Sequence, residues 1–149
     1  MQKIIFITLF IVSTLGAKAQ SPVGSWLRVA MIEEKANGKK VDINTELTNA
    51  MPCTKNIVYS FLANGTMAAK VTGCALGIKK SIENATKTAR WVKVGNKIKV
   101  FMTDNSVPPT LNTVVYSGNK MSWTCNYSYF PELPNPNKDK SITIVYQKN

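Results

Sequence analysis

From residue 23 onward, short apolar-rich runs are punctuated by turn signals, and in 97–102 and 120–127 apolar and polar residues alternate with a period of two. That period places successive side chains on opposite faces of a β-strand. The first run covers residues 23–33 and the second covers 57–62. Asn64-Gly65 follows, a dipeptide that favours tight hairpins with positive φ at the turn, and residues 66–72 return as a third strand. Residues 75–83 are read as a short fourth strand. Residues 89–94 and 97–102 flank Gly95-Asn96, and 110–116 and 120–127 flank Gly118-Asn119, two further hairpins. In 120–127, Met121, Trp123, Cys125 and Tyr127 share one face, with Ser122, Thr124 and Asn126 on the other. Residues 141–147 form the last strand. The one predicted helix covers 44–51, with Asn44 or Thr45 as its cap and Pro52 as its stop.

Seven or eight strands joined by hairpins, without helical crossovers, predict an all-β antiparallel up-and-down meander. Closing such a sheet removes its unpaired edges, so an eight-stranded barrel is expected, with one short helix between the first two strands. No internal repeat is visible, and the expected organisation is a signal peptide over 1–19 and a single barrel domain over 20–149.

The N-terminus changes the picture of where this domain works. Lys3 precedes twelve mostly apolar residues, 4–15, and Ala17-Lys18-Ala19 has the small-x-small form of a signal-peptidase site. The apolar run is shorter than the roughly 20 residues needed to span a bilayer. No cysteine adjoins the cleavage site to carry a lipid. The expected product is exported and soluble, periplasmic or extracellular, without a transmembrane anchor. Cleavage removes Lys3 and Lys18, which lowers the formal charge from +11 to +9.

Three cysteines leave one unpaired in any single-bridge arrangement. A hairpin at Asn64-Gly65 brings Cys53 opposite residue 76, and a two-residue slip brings it to Cys74. A Cys53–Cys74 disulfide is therefore predicted, with Cys125 left as a buried small hydrophobe. Histidine is absent, which removes the commonest general base and metal ligand. No nucleophile-elbow, zinc-protease or phosphate-loop motif is present. The chain is not expected to be an enzyme, and no catalytic residue, metal or cofactor is assigned.

Gly24-Ser25-Trp26 opens the first strand, and this triplet resembles the G-x-W signature of lipocalins. The resemblance implies that the glycine turns the chain in and the indole plugs one end of the barrel. Cys53, Phe61-Leu-Ala-Asn-Gly-Thr66, Cys74 and Trp91 follow in order. The whole of 21–148 resembles the small secreted lipocalin-like domain proteins of Gram-negative bacteria. Lipocalins pack a late arginine over the signature tryptophan, whereas this chain offers Lys148, which lacks the planar guanidinium.

The resemblance implies a barrel that holds a small apolar or amphipathic ligand. The candidate lining residues are Phe61, Trp91, Val100, Met102, Val115, Met121, Trp123 and Tyr127, with Gly24 and Trp26 structural. Aromatic and methionine faces line cores as well as pockets. The alternative is a filled barrel acting as an interaction or structural module. Its basic surface, with Lys39-Lys40, Lys79-Lys80 and Lys97/Lys99, would contact anionic lipid or polysaccharide. No specific nucleic-acid motif is seen.

Overall fold

The computed structural model describes residues 20–129 and 135–149, so the signal-peptide reading of 1–19 lies outside the described residues. Among the described residues, nine strands form one antiparallel sheet: β1 (Gly24–Glu34), β2 (Lys40–Asp42), β3 (Val58–Phe61), β4 (Met67–Lys70), β5 (Ala89–Val94), β6 (Lys97–Met102), β7 (Thr110–Ser117), β8 (Lys120–Asn126) and β9 (Ser141–Lys148). Eight of them follow the order β4-β3-β1-β9-β8-β7-β6-β5, and β2 pairs only with the far half of β1. The two ends of that path meet at a single bridge between Thr66 and Arg90, where Trp91 N–H donates to Gly65 O at 2.8 Å. The fold is an up-and-down antiparallel sheet that nearly closes into an eight-stranded, lipocalin-like barrel.

The strand boundaries follow the alternation closely, and β5 and β6 coincide with it. Three readings are corrected. Residues 75–83 are not a strand but the first part of a second helix, α2 (Leu76–Thr88). Ile78, Ile82 and Thr86 recur every fourth residue on a face that is half-buried to buried, while Lys79 and Glu83 pair one turn apart at 4.0 Å. The helical period thus overrides a short apolar run that looked extended. Arg90 Nη1 donates to the Lys87 and Ala89 carbonyls and satisfies the helix end.

The predicted helix exists as α1 (Asn44–Ala50), but neither Asn44 nor Thr45 caps it. Instead the Asp42 carboxylate accepts the Asn44 N–H at 2.9 Å. Pro52 ends it and opens a single 3-10 segment, Pro52–Asn56. Thirdly, the Asn64-Gly65 turn is longer than a two-residue hairpin. Leu62 and Thr66 still pair, and only glycine takes positive φ.

Gly65 is required twice over. Its φ is +81°, and a Cβ there would lie 2.8 Å from the Trp91 carbonyl oxygen. The same residue that makes the turn therefore makes the seam.

Strand direction sorts the connections. The hairpins β3–β4, β5–β6 and β7–β8 all lie at one end, with Gly24 and Trp26. The longer connections, 35–57, 71–88 and 103–109, and the described parts of the last, 127–129 and 135–140, all lie at the other. At that loop end, Cys53 and Cys74 form the predicted disulfide (Cα–Cα 5.1 Å), tying the 3-10 segment to the approach to α2. Lys35 bridges Glu33 and the 8%-exposed Asp139 (3.3 Å to the latter), and Lys140 N–H donates to Glu34 O at 2.7 Å. These contacts hold residues 139–140 against the end of β1.

Gly65→Ala is expected to lower stability by more than about 1 kcal/mol, since a left-handed φ alone costs an L-residue that much. Urea denaturation would show a lower midpoint. Replacing Cys53 and Cys74 together by alanine removes a cross-link worth roughly 3 kcal/mol in the chain-entropy picture. A fall of roughly 10 °C in melting temperature is the expected calorimetric result.

Candidate functional site

The site is the barrel interior, and register decides what enters it. Directly opposed residues in an antiparallel pair point to the same face. Trp26 opposes Lys148 and Tyr59, Arg28 opposes Tyr146, and then the register shifts at Val29 so that Met31 opposes Ile144 and Glu33 opposes Ile142. This β-bulge changes the parity of β1, so Arg28 and Met31 both face inward. Across β8, Met121, Trp123 and Cys125 oppose Tyr146, Ile144 and Ile142.

The hairpin end is sealed. Trp26 is 4% exposed and its Nε1 donates to Pro22 O at 2.7 Å. Lys148 Nζ sits 6.0 Å from the indole centroid, in the position the resemblance assigns to an arginine. Gly24 has φ +136°, which turns the chain into the strand, as the signature implies. Above this plug, Phe61 and Met121 are fully buried. Phe61, Trp123 and Tyr146 form an aromatic triad with centroids 4.8–5.9 Å apart, and Tyr59 meets Tyr146 edge-on at 5.9 Å. Such tilted and edge-to-face contacts are the favourable ring arrangements.

Toward the loop end the wall loosens. Met31, Val100, Met102, Thr110, Ile142 and Ile144 face inward yet are only half-buried. A hollow of about 120 Å³ lies at the rim, lined by Val100, Met102, Val107, Pro108 and Thr110. At the opposite end, a second hollow of about 240 Å³ lies between Gln20, Pro22 and the side chains of Lys93, Lys97, Ile98, Val114 and Tyr116.

Of the predicted lining residues, Phe61, Trp91, Met121 and Trp123 are in the core, and Val100 and Met102 face the open half. Val115 is corrected: it is 59% exposed and faces outward, because it opposes Ser122, while Val114 opposes Trp123 and takes the inward place. Tyr127 lies beyond β8, in a 3-10 turn, where its N–H donates to Lys140 O at 3.0 Å. Cys125 is buried, and burial pushes its thiol pKa up, which makes it a poor nucleophile.

Polar groups inside the barrel were not anticipated. Arg28 is half-buried and faces inward opposite Tyr146, and its Nε is buried without a hydrogen-bond partner. The indole Nε1 atoms of Trp91 and Trp123 are likewise buried and unpaired. An arginine in phase with Trp26, two residues on, was the available signal. The Arg28 charge acts on both Tyr59 and Tyr146, although desolvation dominates and raises both phenol pKa values. Among the described residues, no group of histidine, cysteine and acidic side chains could hold a metal, and no helix is long and apolar enough to cross a membrane. No protein-family profile, curated protein or solved structure matches the chain.

Burial also raises the Tyr116 pKa to about 12. A phenol raised in the folded state keeps its full stabilising contribution below the unfolded pKa of 10.0. That contribution is lost as pH rises toward the folded value. Stability is therefore expected to fall above pH 10, across the window to about 12 for Tyr116 and further for Tyr146. Urea midpoints measured from pH 8 to 12 should fall less steeply in Tyr146→Phe than in the parent.

Proposed function

We propose that this chain is an exported lipocalin-like binding protein that takes a small amphipathic molecule into its barrel from the loop end. The observation that carries this reading is the asymmetry of the interior. A sealed aromatic floor at the hairpin end gives way to a half-exposed wall of Met31, Val100, Met102, Ile142 and Ile144 under the long loops. A wall that is apolar, pre-formed and reached from one side, with a few convergent polar groups beneath it, is the usual form of a small-molecule site. Buried indole N–H groups without partners would gain by meeting an acceptor on a guest.

Export is part of the same proposal. The signal-peptide pattern in 1–19 supports it, and so does the Cys53–Cys74 disulfide, since such bonds persist in oxidising compartments.

A second reading, a filled barrel that contacts anionic lipid or polysaccharide through its surface, is favoured by one observation. The side-chain carboxylates of the described residues (Glu33, Glu34, Asp42, Glu46, Glu83, Asp104 and Asp139) all lie on loop-end elements. The hairpin end presents Lys93, Lys97, Lys120 and Lys148 without them.

Native mass spectrometry of the protein purified gently from the compartment that receives it tests the choice. The binding reading expects an added mass that organic solvent releases, and expects Val100→Trp, which fills the open half, to lose it while remaining folded. A bare mass for the parent protein favours the surface module.

A further inference from the structure

The residues that lead into β1 lie across the sealed end of the barrel, and a buried anchor holds them there. Pro22 is buried, and its carbonyl accepts the Trp26 indole N–H at 2.7 Å. Gln20 stands two residues ahead of that anchor. With Pro22 it lines the hollow of about 240 Å³ against β6 and β7. Ile98 and Val114 supply the apolar wall of the hollow. Tyr116 is half-buried beside them, and no hydrogen bond among the described residues engages its hydroxyl. Lys93 and Lys97 are the charged lining residues, Lys97 with its ammonium 5.1 Å from the Tyr129 ring centroid. No side-chain carboxylate of the described residues lies at this end, and Asn149 lies on another face, against Ser25.

Export decides what stands at that position. Cleavage after Ala19 leaves Gln20 as the first residue, with a free α-amine that can close a five-membered ring on its own carboxamide carbon. In that step the unprotonated α-nitrogen attacks Cδ, the N–Cδ bond forms and the Cδ–Nε2 bond breaks. The carboxamide nitrogen leaves as ammonia, carrying a proton from the amine. Nothing is oxidised or reduced, and no co-reactant is consumed. The nucleophile is the neutral amine, and an unperturbed α-amino group titrates at about 7.7–8.0. Nearby cations favour its neutral form, so a hollow lined by lysines and lacking a carboxylate favours closure. The same charges oppose an uncyclised terminus, which would set a further cation beside Lys93. The lactam is neutral and compact, with methylene groups for Ile98 and Val114 and a ring carbonyl to accept from the Tyr116 hydroxyl.

We propose that Gln20 is a modification site: freed by cleavage after Ala19, it closes to pyroglutamate, and the lactam seats in the hollow against Ile98, Val114 and Tyr116 as a cap on the sealed end of the barrel. Chain termini fray unless they are tied down. The seated ring ties this one, so the Pro22–Trp26 hydrogen bond is held from both sides. The inference rests on the proposed export and specifies the chemical form of the terminus that export leaves.

Protein expressed with its own signal and recovered from the exported fraction tests both parts. Intact mass is read first and tryptic peptides second, since trypsin cuts after Lys18 and Arg28 on either side of the new terminus. The expected N-terminal peptide covers 20–28 and is about 17 Da lighter than its glutamine form, the mass of the lost ammonia. Gln20→Ala, which keeps the cleavage site and cannot cyclise, is expected to melt about 2–4 °C below the parent. In a Tyr116→Phe background, which keeps the ring and removes the hydroxyl, that difference is expected to shrink. A 20–28 peptide of unchanged mass overturns the modification and leaves export standing. A peptide that begins before residue 20 overturns export and the modification together. Equal melting of the parent and Gln20→Ala, or a difference that Tyr116→Phe leaves intact, overturns the seating of the ring in the hollow.

Discussion

The pairing of the first strand with the last is the constraint on which the rest of the structure depends. Every other neighbour in the barrel wall except the Thr66–Arg90 seam is joined through a local connection, and three of those are hairpins. The β1–β9 pair is different, because it joins residues more than a hundred positions apart and runs for almost the full length of both strands. Closing so long a loop costs chain entropy, which the extended ladder must offset. Once formed, it fixes Trp26 against Lys148 at the sealed end and Glu34 against Ser141 under the loops.

The bulge at Val29 gives that pair a second role. With a regular ladder, the inward positions of β1 would continue from Trp26 and Arg28 to Ala30 and Ile32. The register shift hands the upper positions to Met31 and Glu33 instead. A single extra residue therefore places Met31 rather than Ala30 in the wall of the open half, and it puts a carboxylate rather than Ile32 at the rim, where Lys35 meets it. The opposite seam is the weak counterpart: one bridge, held by a glycine that no other residue replaces without a clash. The disulfide and α2 lie on the same side of the barrel and brace a closure that backbone pairing alone leaves thin.

The division of the interior follows from these constraints. Large rings fill the end beside the Trp26 plug. Aliphatic and thioether side chains face the end under the long connections.

Much of this was legible in the chain alone. Period-two alternation and Gly-Asn turns are local signals, so β5 through β9 emerged with nearly their true limits, and the hairpin register brought Cys53 close to Cys74. The sealed end at Gly24 and Trp26 was legible only through the resemblance those residues carry. Other features depended on partners far away in sequence. Residues 75–83 became a helix because one face of it meets β4, and Val115 turned outward because β8 sets its register. Arg28 faces inward because β9 places Tyr146 opposite it. The sequence determined the strands, the turns and the direction of closure, because neighbouring residues encode them. Only the tertiary structure decided which side chains share the interior and which of them lack partners, because burial and pairing are properties of two strands and not of one.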